Sequence, residues 1–464
     1  MRCDVAIIGS GFGGLVCAAM LAREGLSVMV LEQAQRPGGC LQSYTRAGWR
    51  YDTGLHYVGG LEKGWPLHGV FQQLGLMDLP WHRLDDEGFD RVVIGTREFR
   101  LAAGFERFTQ VLAHDFPRQS GPIARLAKLL AAPIPAEMAG VNAYDFLIDL
   151  LGNSLLVDVL AGAAMKMEMR RESLPLFTFA HGLASYVGGG AWRLKGDGQL
   201  VVDRLMGQIA NGGKVCCAKK VVGLNLREQH VVEAVCNDGE VVEAGAFISS
   251  IHPAATCHLL SQPPKGMFTR RICSMENTEG VLTVSLRLRP EALRYFNYNV
   301  YVYPDEGWVW TTAENRSRGV MVSARVPEDG SEYVRQIDLM TPMSWSEVRK
   351  WQHSTVGHRG ADYNIQKDHW ADECVAMAER RIPQLGSLVE SRYVSTPLTW
   401  RDYTLTPQGS AFGIRKDCHA PLLSMLSPRT PVPNLFLTGQ SLVMHGVEGV
   451  AMTALETCNQ ILRQ

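Results

Sequence analysis

The sequence predicts an α/β fold interleaved with an α+β portion, and three observations carry that expectation. Residues 5–32 spell an apolar strand, a glycine-rich turn, a helix with small residues and a second apolar strand. Apolar strands and turns of the same kind return over residues 196–246 and again over 435–462. Between these returns, residues 272–400 alternate short strands with helices, the pattern of a mixed sheet roofing a cavity. A chain of 464 residues has room for two or three domains. The returns divide it into two interleaved ones, residues 1–60, 185–265 and 410–464 forming the first, and residues 61–184 and 266–409 the second, substrate-binding one.

Each element follows in order. Residues 5–8 form a strand, 9–14 a turn, and 15–24 a helix that packs closely through Ala18, Ala19 and Ala22 and stops at Gly25. Residues 27–31 form the second strand, closed by Glu32. Residues 61–180 are less regular, with helices over 105–116 and 144–169. Within the segment GPIARLAKLLAAPIPAEM, the spacing of Ile123, Leu126, Leu129 and Leu130 around Arg125 and Lys128 makes a short basic amphipathic helix. It reads as core-facing, with a membrane-surface or substrate-entry element over residues 120–135 as the alternative. A helix over 200–209, a strand over 215–225 and a hairpin over 231–236 and 241–246, turning at Asn237-Asp238-Gly239, come next. Strands over 281–286, 300–303 and 320–325 and helices over 344–351 and 371–382 make the mixed part. The chain closes with a strand over 435–437, the turn Thr438-Gly439 and an apolar helix over 446–462.

Composition excludes several classes of function. The 46 basic and 47 acidic residues cancel, so no nucleic-acid surface is expected. The eleven cysteines include no CxxC pair, which argues against a disulfide framework and against a metal site of standard spacing. Cys17 and Cys458 read as small core residues, and a reducing, cytoplasmic compartment fits best. The N-terminus lacks a signal-peptide pattern, and no stretch approaches the roughly 18 apolar residues of a spanning helix. The expectation is a soluble protein, or one attached at most to a membrane surface.

The chemistry is concentrated in the glycines. Gly9, Gly11 and Gly14, with Gly13 among them, form GxGxxG between a strand and a helix. The first permits the tight turn, the second lets backbone approach a pyrophosphate, and the third lets the helix pack on the strand. Glu32 stands where an acid accepts hydrogen bonds from ribose hydroxyls, with Gln33 beside it. NAD and FAD enzymes share this arrangement. Arg36-Pro37-Gly38-Gly39 then adds a second glycine pair, which an extended, buried FAD requires and an NAD dehydrogenase does not. The first domain therefore reads as a Rossmann-type FAD-binding domain.

Longer segments carry a resemblance. SYTRAGWRYDTGLHYVGG, SYVGGGAWRLKGDGQLVVDRL, FISSIHP, STPLTWRDYTLTPQGSAFG and NLFLTGQSLVMHGVEGVAMTALET look like the phytoene desaturase, carotenoid isomerase and retinol saturase superfamily of flavoproteins. The resemblance covers both ends and most of the frame, and is weakest over 61–180 and 290–390. It implies FAD, with Glu32 on the adenine ribose, backbone near Val221 at the adenine, and the isoalloxazine ring near Gly38-Gly39 and the turn at 439–450. Gly439, Gln440, Gly446, Val447, Gly449 and Val450 belong to that turn. Desaturases of this superfamily carry an acid where this chain has Gln440, and the TGQ sequence stands closer to the saturase and isomerase side.

The implied activity is saturation, isomerisation or desaturation of carbon–carbon bonds in a hydrophobic, polyene or isoprenoid-like substrate. No second GxGxxG exists, so NAD(P)H would act as an external reductant, alongside a protein donor or a quinone as alternatives. A greasy substrate fits peripheral contact with the inner face of a membrane. Two alternatives remain at this point: amine oxidase chemistry on a C–N bond, and a non-catalytic prenyl-binding protein of the Rab escort type. His445, His56 and Tyr57 are the candidate proton donors or flavin contacts, each set against a purely structural role. Glu448 is either a catalytic acid or a first-turn acid of the last helix. Tyr403 and Phe412 are expected to line the apolar cavity.

Overall fold

The computed structural model describes residues 1–262, 267–313 and 317–463. Its first sheet has seven strands, in the order Gly213–Cys216, Val28–Leu31, Arg2–Ile8, Val241–Ser249, His230–Cys236 and Val221–Arg227, with Leu435–Leu437 pairing with Val241–Ser249. Arg2–Ile8 runs parallel to both neighbours, and one row crosses Val215, Val30, Ile7, Ile248 and Phe436. Parallel strands covered on both faces must be apolar throughout, and Val5, Ala6, Ile7 and Ile8 are all buried. The first helix, Phe12–Arg23, and the last, Gly446–Leu462, pack against each other on one face of this sheet.

The second sheet also has seven strands, in the order Val389–Ser395, Gly280–Leu288, Gln336–Met343, Val320–Ala324, Asn299–Tyr303, Asp90–Ile94 and Arg97–Leu101. One face buries Val284, Val302, Val322 and Leu339 against Trp370, Ala371 and Cys374 of the helix Ala361–Glu379. The other face looks toward the first sheet, and the cavity lies between them.

Four sequence expectations need correction. The strand expected over 215–225 is two strands, because Ala218 turns left-handed (φ 57°) and the chain crosses to Glu32 through Lys219 N–H on the Glu32 carbonyl at 2.7 Å. The halves lie on opposite edges of the sheet, one parallel and one antiparallel. The helix expected over 144–169 breaks at Gly152, which takes the left-handed C-cap conformation, and Asn153 caps the next helix by accepting the Leu156 N–H at 3.0 Å. The helix expected from 371 begins at Ala361, since its first turns are largely polar and carry no apolar period. Strands Trp81–Arg83, Asp90–Ile94 and Arg97–Leu101 stand where no strand is expected.

The basic amphipathic helix is Ser120–Ala131. It buries Ile123, Leu126, Ala127 and Leu130 in the core with Phe108 and Leu147, and turns Arg125 and Lys128 to solvent. None of these side chains reaches the cavity, so the helix takes the core-facing reading. The domain boundary drawn at residues 265 and 266 lies outside the described residues. Among the described residues, no helix is long and apolar enough to cross a membrane.

Candidate functional site

A cavity of about 1050 Å³ opens between the carboxyl ends of the parallel strands and the inner face of the second sheet. Ligands of open parallel sheets bind at these strand ends, where loops carry polar groups past the apolar core. Gly9, Gly11, Gly13, Glu32, Gln33, Gly39 and Val221 line it on the first-sheet side. Gly439, Gln440, Gly446, Val447 and Val450 line the returning turn. His56, Tyr57, His445 and Glu448 also face it.

The remaining glycines of the motifs serve packing. A Cβ on Gly14 would meet the Gly9 carbonyl at 2.2 Å, so the first helix sits on its strand only because that atom is missing. Gly449 is held against Met444, where an added Cβ would meet it at 2.6 Å, and Gly38 pairs backbone with Gly11 and donates its N–H to the Ser10 carbonyl at 3.0 Å. Gly39 then passes so near that its Cβ would stand 3.0 Å from the Gly11 Cα. Gly11 itself has open space, the nearest atom to an added Cβ being Ser250 Oγ at 3.8 Å. Arg36 is the exception among the expected cofactor residues. It is exposed, outside the lining, and offers only its carbonyl to the Gln42 amide at 2.9 Å.

Glu32 is oriented by its own chain: Oε2 accepts from Ser10 N–H at 2.8 Å and from the Ser10 hydroxyl at 2.6 Å, and Oε1 from Ala34 N–H at 2.7 Å. Oε1, with one bond, keeps acceptor capacity for a ribose hydroxyl. Gln440 donates its amide to the Ala411 carbonyl at 3.0 Å, leaving its oxygen for a ligand hydroxyl.

His445 precedes the first turn of the last helix, with its ring 5.7 Å from that of Phe412. Neither ring nitrogen has a hydrogen-bond partner, although both are buried. Burial pushes the imidazole down to about 3 and the Lys416 charge adds to this, while the backbone of Gln440 and Phe412 opposes it only in part. The ring is therefore neutral near pH 7. Glu448 stands in the first helical turn, where the dipole favours the carboxylate, yet burial wins and raises its pKa. It accepts a hydrogen bond from the Ser185 hydroxyl.

Tyr57 donates to Asp90 Oδ2 at 2.7 Å and shares a 2.7 Å hydrogen bond with the Tyr301 hydroxyl. Its proton is thus committed to the sheet rather than to the cavity. His56 lies with Nδ1 3.7 Å from Asp338 Oδ2, and burial lowers its pKa. Phe412 lines the cavity, whereas Tyr403 lines it while remaining 63% exposed at its rim.

Three charged groups escaped the sequence reading. Lys416 is wholly buried, donates to the carbonyls of Ser424, Ser441 and Leu442 at 2.7–3.1 Å, and is pushed down to about 7 by burial. It clasps the segment just after Gln440. Asp52 is pushed up to about 7 by burial, against the pull of Arg325 at 2.8 Å. Asp338 sits in the middle of a buried strand. Asp338, an acid between Ile337 and Leu339, gave the one sequence signal, whereas Asp52 and Lys416 stand among polar neighbours and gave none.

The residues present fit an FAD molecule on two independent observations. The Gly11–Gly39 backbone forms a cradle with room beside it, and His445 presents two unpaired buried nitrogens to the cavity. Buried polar atoms left without partners signal a missing ligand. Ser10 and Glu32 would hold the ribose end, backbone at Val221 the adenine, and the 439–450 turn the ring end. The described residues bring one group of metal-ligand types together, the consecutive Asp417, Cys418 and His419, and it lies outside the cavity lining.

Comparison with known proteins gives the kinship. A family profile for an NAD(P)-binding Rossmann-like domain matches residues 7–74. All-trans-retinol 13,14-reductase from Homo sapiens is 26% identical over 537 aligned positions, covering 100% of this chain and 86% of that protein. Chloroplastic prolycopene isomerase from Daucus carota is 22% identical, covering 99% of this chain and 80% of the relative. An oxidoreductase structure from Methanosarcina mazei superposes with a TM-score of 0.68 at 15% identity, both chains covered fully. A putrescine oxidase structure does so with 0.65 at 16% identity, again over both whole chains. These last two establish the fold. Over essentially its whole length the chain is similar to all-trans-retinol 13,14-reductases and to prolycopene isomerase, which is consistent with the phytoene desaturase and retinol saturase superfamily.

Proposed function

We propose that this protein is an FAD-dependent oxidoreductase acting on carbon–carbon double bonds of a hydrophobic polyene or isoprenoid-like substrate. The observation that carries the reading is the continuity of one cavity from the glycine cradle to an apolar floor of Met165, Val281, Met321, Met340 and Pro342. A flat, greasy chain can lie on that floor beside the 439–450 turn. FAD bound in the cradle supplies hydride exchange with one substrate carbon.

The chain's own residues do the rest. The methionine floor fits an extended apolar substrate without polar demands. The neutral imidazoles of His56 and His445, and the Glu448 carboxyl with its raised pKa, are the wall groups able to hold or pass a proton beside the reacting carbon. Lys416, outside the lining itself, holds the carbonyl of the wall residue Ser441 from behind and in its charged form sets a positive field there. Saturation, isomerisation and desaturation all fit this arrangement. The resemblance of the TGQ turn and the kinship to retinol reductases and prolycopene isomerases favour saturation or isomerisation. With one dinucleotide motif in the chain, electrons would come from a docked NAD(P)H, a protein donor or a quinone. Peripheral contact with a membrane would supply the greasy substrate.

The test is product analysis. FAD-loaded protein, chemically reduced, is incubated with retinoids, carotenoids and shorter polyenes, and the products are weighed by mass spectrometry. A gain of two hydrogens or a changed isomer supports the reading, and His445→Ala should slow product formation about tenfold or more while keeping its flavin. Unchanged polyenes, together with oxidation of an amine by the oxidised FAD-loaded protein in air, would overturn it.

A further inference from the structure

The second sheet carries a row of polar side chains across six strands on its cavity face. Along the strand registers, Asp90 stands beside Asn299, Asn299 beside Ser323, Ser323 beside Asp338, Asp338 beside Ser285, and Ser285 beside Tyr393. The first five are buried, Asp90 and Asn299 completely. Two residues along on the same face, Met321, Met340 and Thr283 line the cavity floor. The row is thus the polar margin of the substrate floor.

Burying two carboxylates is costly unless each is paired and hydrogen-bonded. Residues outside this sheet meet the row, among them Tyr44, whose hydroxyl donates to Ser285 Oγ at 3.4 Å. Tyr57 donates to Asp90 Oδ2, and Asn299 donates to Asp90 Oδ1 at 2.9 Å. Arg193 reaches between the two acids, donating to Asn299 Oδ1 at 2.6 Å and to Ser323 Oγ at 3.5 Å. His56 stands over Asp338, whose Oδ1 already accepts the Ser285 hydroxyl at 2.6 Å.

That last contact is the open one. At 3.7 Å, His56 Nδ1 and Asp338 Oδ2 are an ion-pair distance apart but not hydrogen-bonded. His56 makes no hydrogen bond among the described residues and lines the cavity. The charged groups facing its ring are Asp338 on Gln336–Met343, Arg325 just beyond Val320–Ala324, and Arg193 on Ala191–Leu194. Asp338 alone among them favours a proton on the ring.

We propose that Asp338 is the positioning residue of the site, holding His56 with its Nδ1 proton turned to the sheet and Nε2 turned to the cavity. Nε2 then offers its lone pair toward the substrate floor, and a proton taken up there makes an imidazolium whose charge Asp338 offsets. The carboxylate–imidazole pairing fixes one tautomer. Because Tyr57 spends its proton on Asp90, His56 is the member of this adjacent pair that faces the substrate. The proposal rests on the function proposed above for its consequence, but not for its first readout.

That readout is the His56 tautomer, measured by ¹⁵N NMR at pH 7.5 on FAD-loaded protein with labelled histidine, the signal identified by its loss in His56→Gln. The wild type should show the Nδ1–H form and Asp338→Leu should lose it. An Nε2–H wild type, or an unchanged tautomer in Asp338→Leu, overturns the proposal. The wild-type spectrum decides even if the variant fails to fold. In turnover, Asp338→Leu should lower kcat about tenfold with KM within about twofold, and adding His56→Gln should cost nothing more. Multiplying losses would overturn it. A failed polyene screen with the expected tautomer would remove only the substrate reading, and a wrong tautomer with active turnover only this one.

Discussion

The two sheets of this protein handle polar chemistry in opposite ways. The parallel sheet is apolar on both faces near its centre, and its polar work is done beyond the strand ends by backbone, at Gly9 to Gly14, Gly38-Gly39 and the 439–450 turn. The second sheet is apolar on one face only, and does its polar work inside the strands, through a row of side chains from Asp90 to Tyr393. The difference is between recognition by backbone and recognition by side chain. A phosphate can be met by amides that any sequence owns, provided glycines make room. A substrate floor and its proton chemistry need particular side chains, which must be buried and paired.

Breaking the first half should have the largest effect. Gly14→Val places a Cβ into the Gly9 carbonyl, and a cost above about 3 kcal/mol is expected, with no flavin-loaded protein recovered. Gly11→Ala separates packing from cofactor approach. Its Cβ has room in the protein, so the melting temperature of the apoprotein should hold while FAD affinity falls at least about tenfold. A wholly unfolded Gly11→Ala would contradict that division.

In the second half, Asp90→Ala removes the buried carboxylate that accepts from the Tyr57 hydroxyl and the Asn299 amide. A loss of about 3 kcal/mol is expected in denaturant unfolding, with the flavin spectrum retained. Loss of flavin from this variant would mean that the row serves the cofactor rather than the substrate floor.

A smaller effect follows from Asp52, which bridges the halves. Its folded pKa of about 7 exceeds the ordinary 3.8, so the native state binds the extra proton between about pH 4 and 7. Stability contributed by this group therefore falls as pH rises through that window. Asp52→Asn should flatten the fall by on the order of 3 kcal/mol, read from chemical denaturation at pH 4.5 and 7.5. Glu168, also pushed up to about 7 by burial, stays in place and leaves part of the slope. The smallest effect is Arg36→Ala, expected to change FAD affinity by less than about twofold, because the side chain stands exposed outside the cavity.

The same difference explains what the sequence made legible. The cradle was readable because its glycines and Glu32 fall within one short stretch, at spacings that backbone geometry dictates. His56, Tyr57, His445 and Glu448 were visible because they border those glycine segments. The polar row was not, since it is assembled from six strands scattered between residues 90 and 395, each lending it one side chain. Asp90–Ile94 itself went unread as a strand. Arg36 misled because proximity in sequence to Gly38 does not make a side chain face the same way. Lys416 gave no warning, because its partners are three carbonyls, which every residue carries.

The central claim is chemistry on carbon–carbon double bonds at a flavin held in this cavity, and single-turnover absorbance tests it most directly. Anaerobic FAD-loaded protein, once oxidised and once reduced, is mixed with a panel of polyenes and followed at the flavin band. The account predicts that at least one polyene reoxidises the reduced form or bleaches the oxidised form in proportion to the enzyme present, or leaves as a changed isomer. Flavin indifferent in both states to every polyene, with none isomerised and with bleaching by an amine instead, would contradict it.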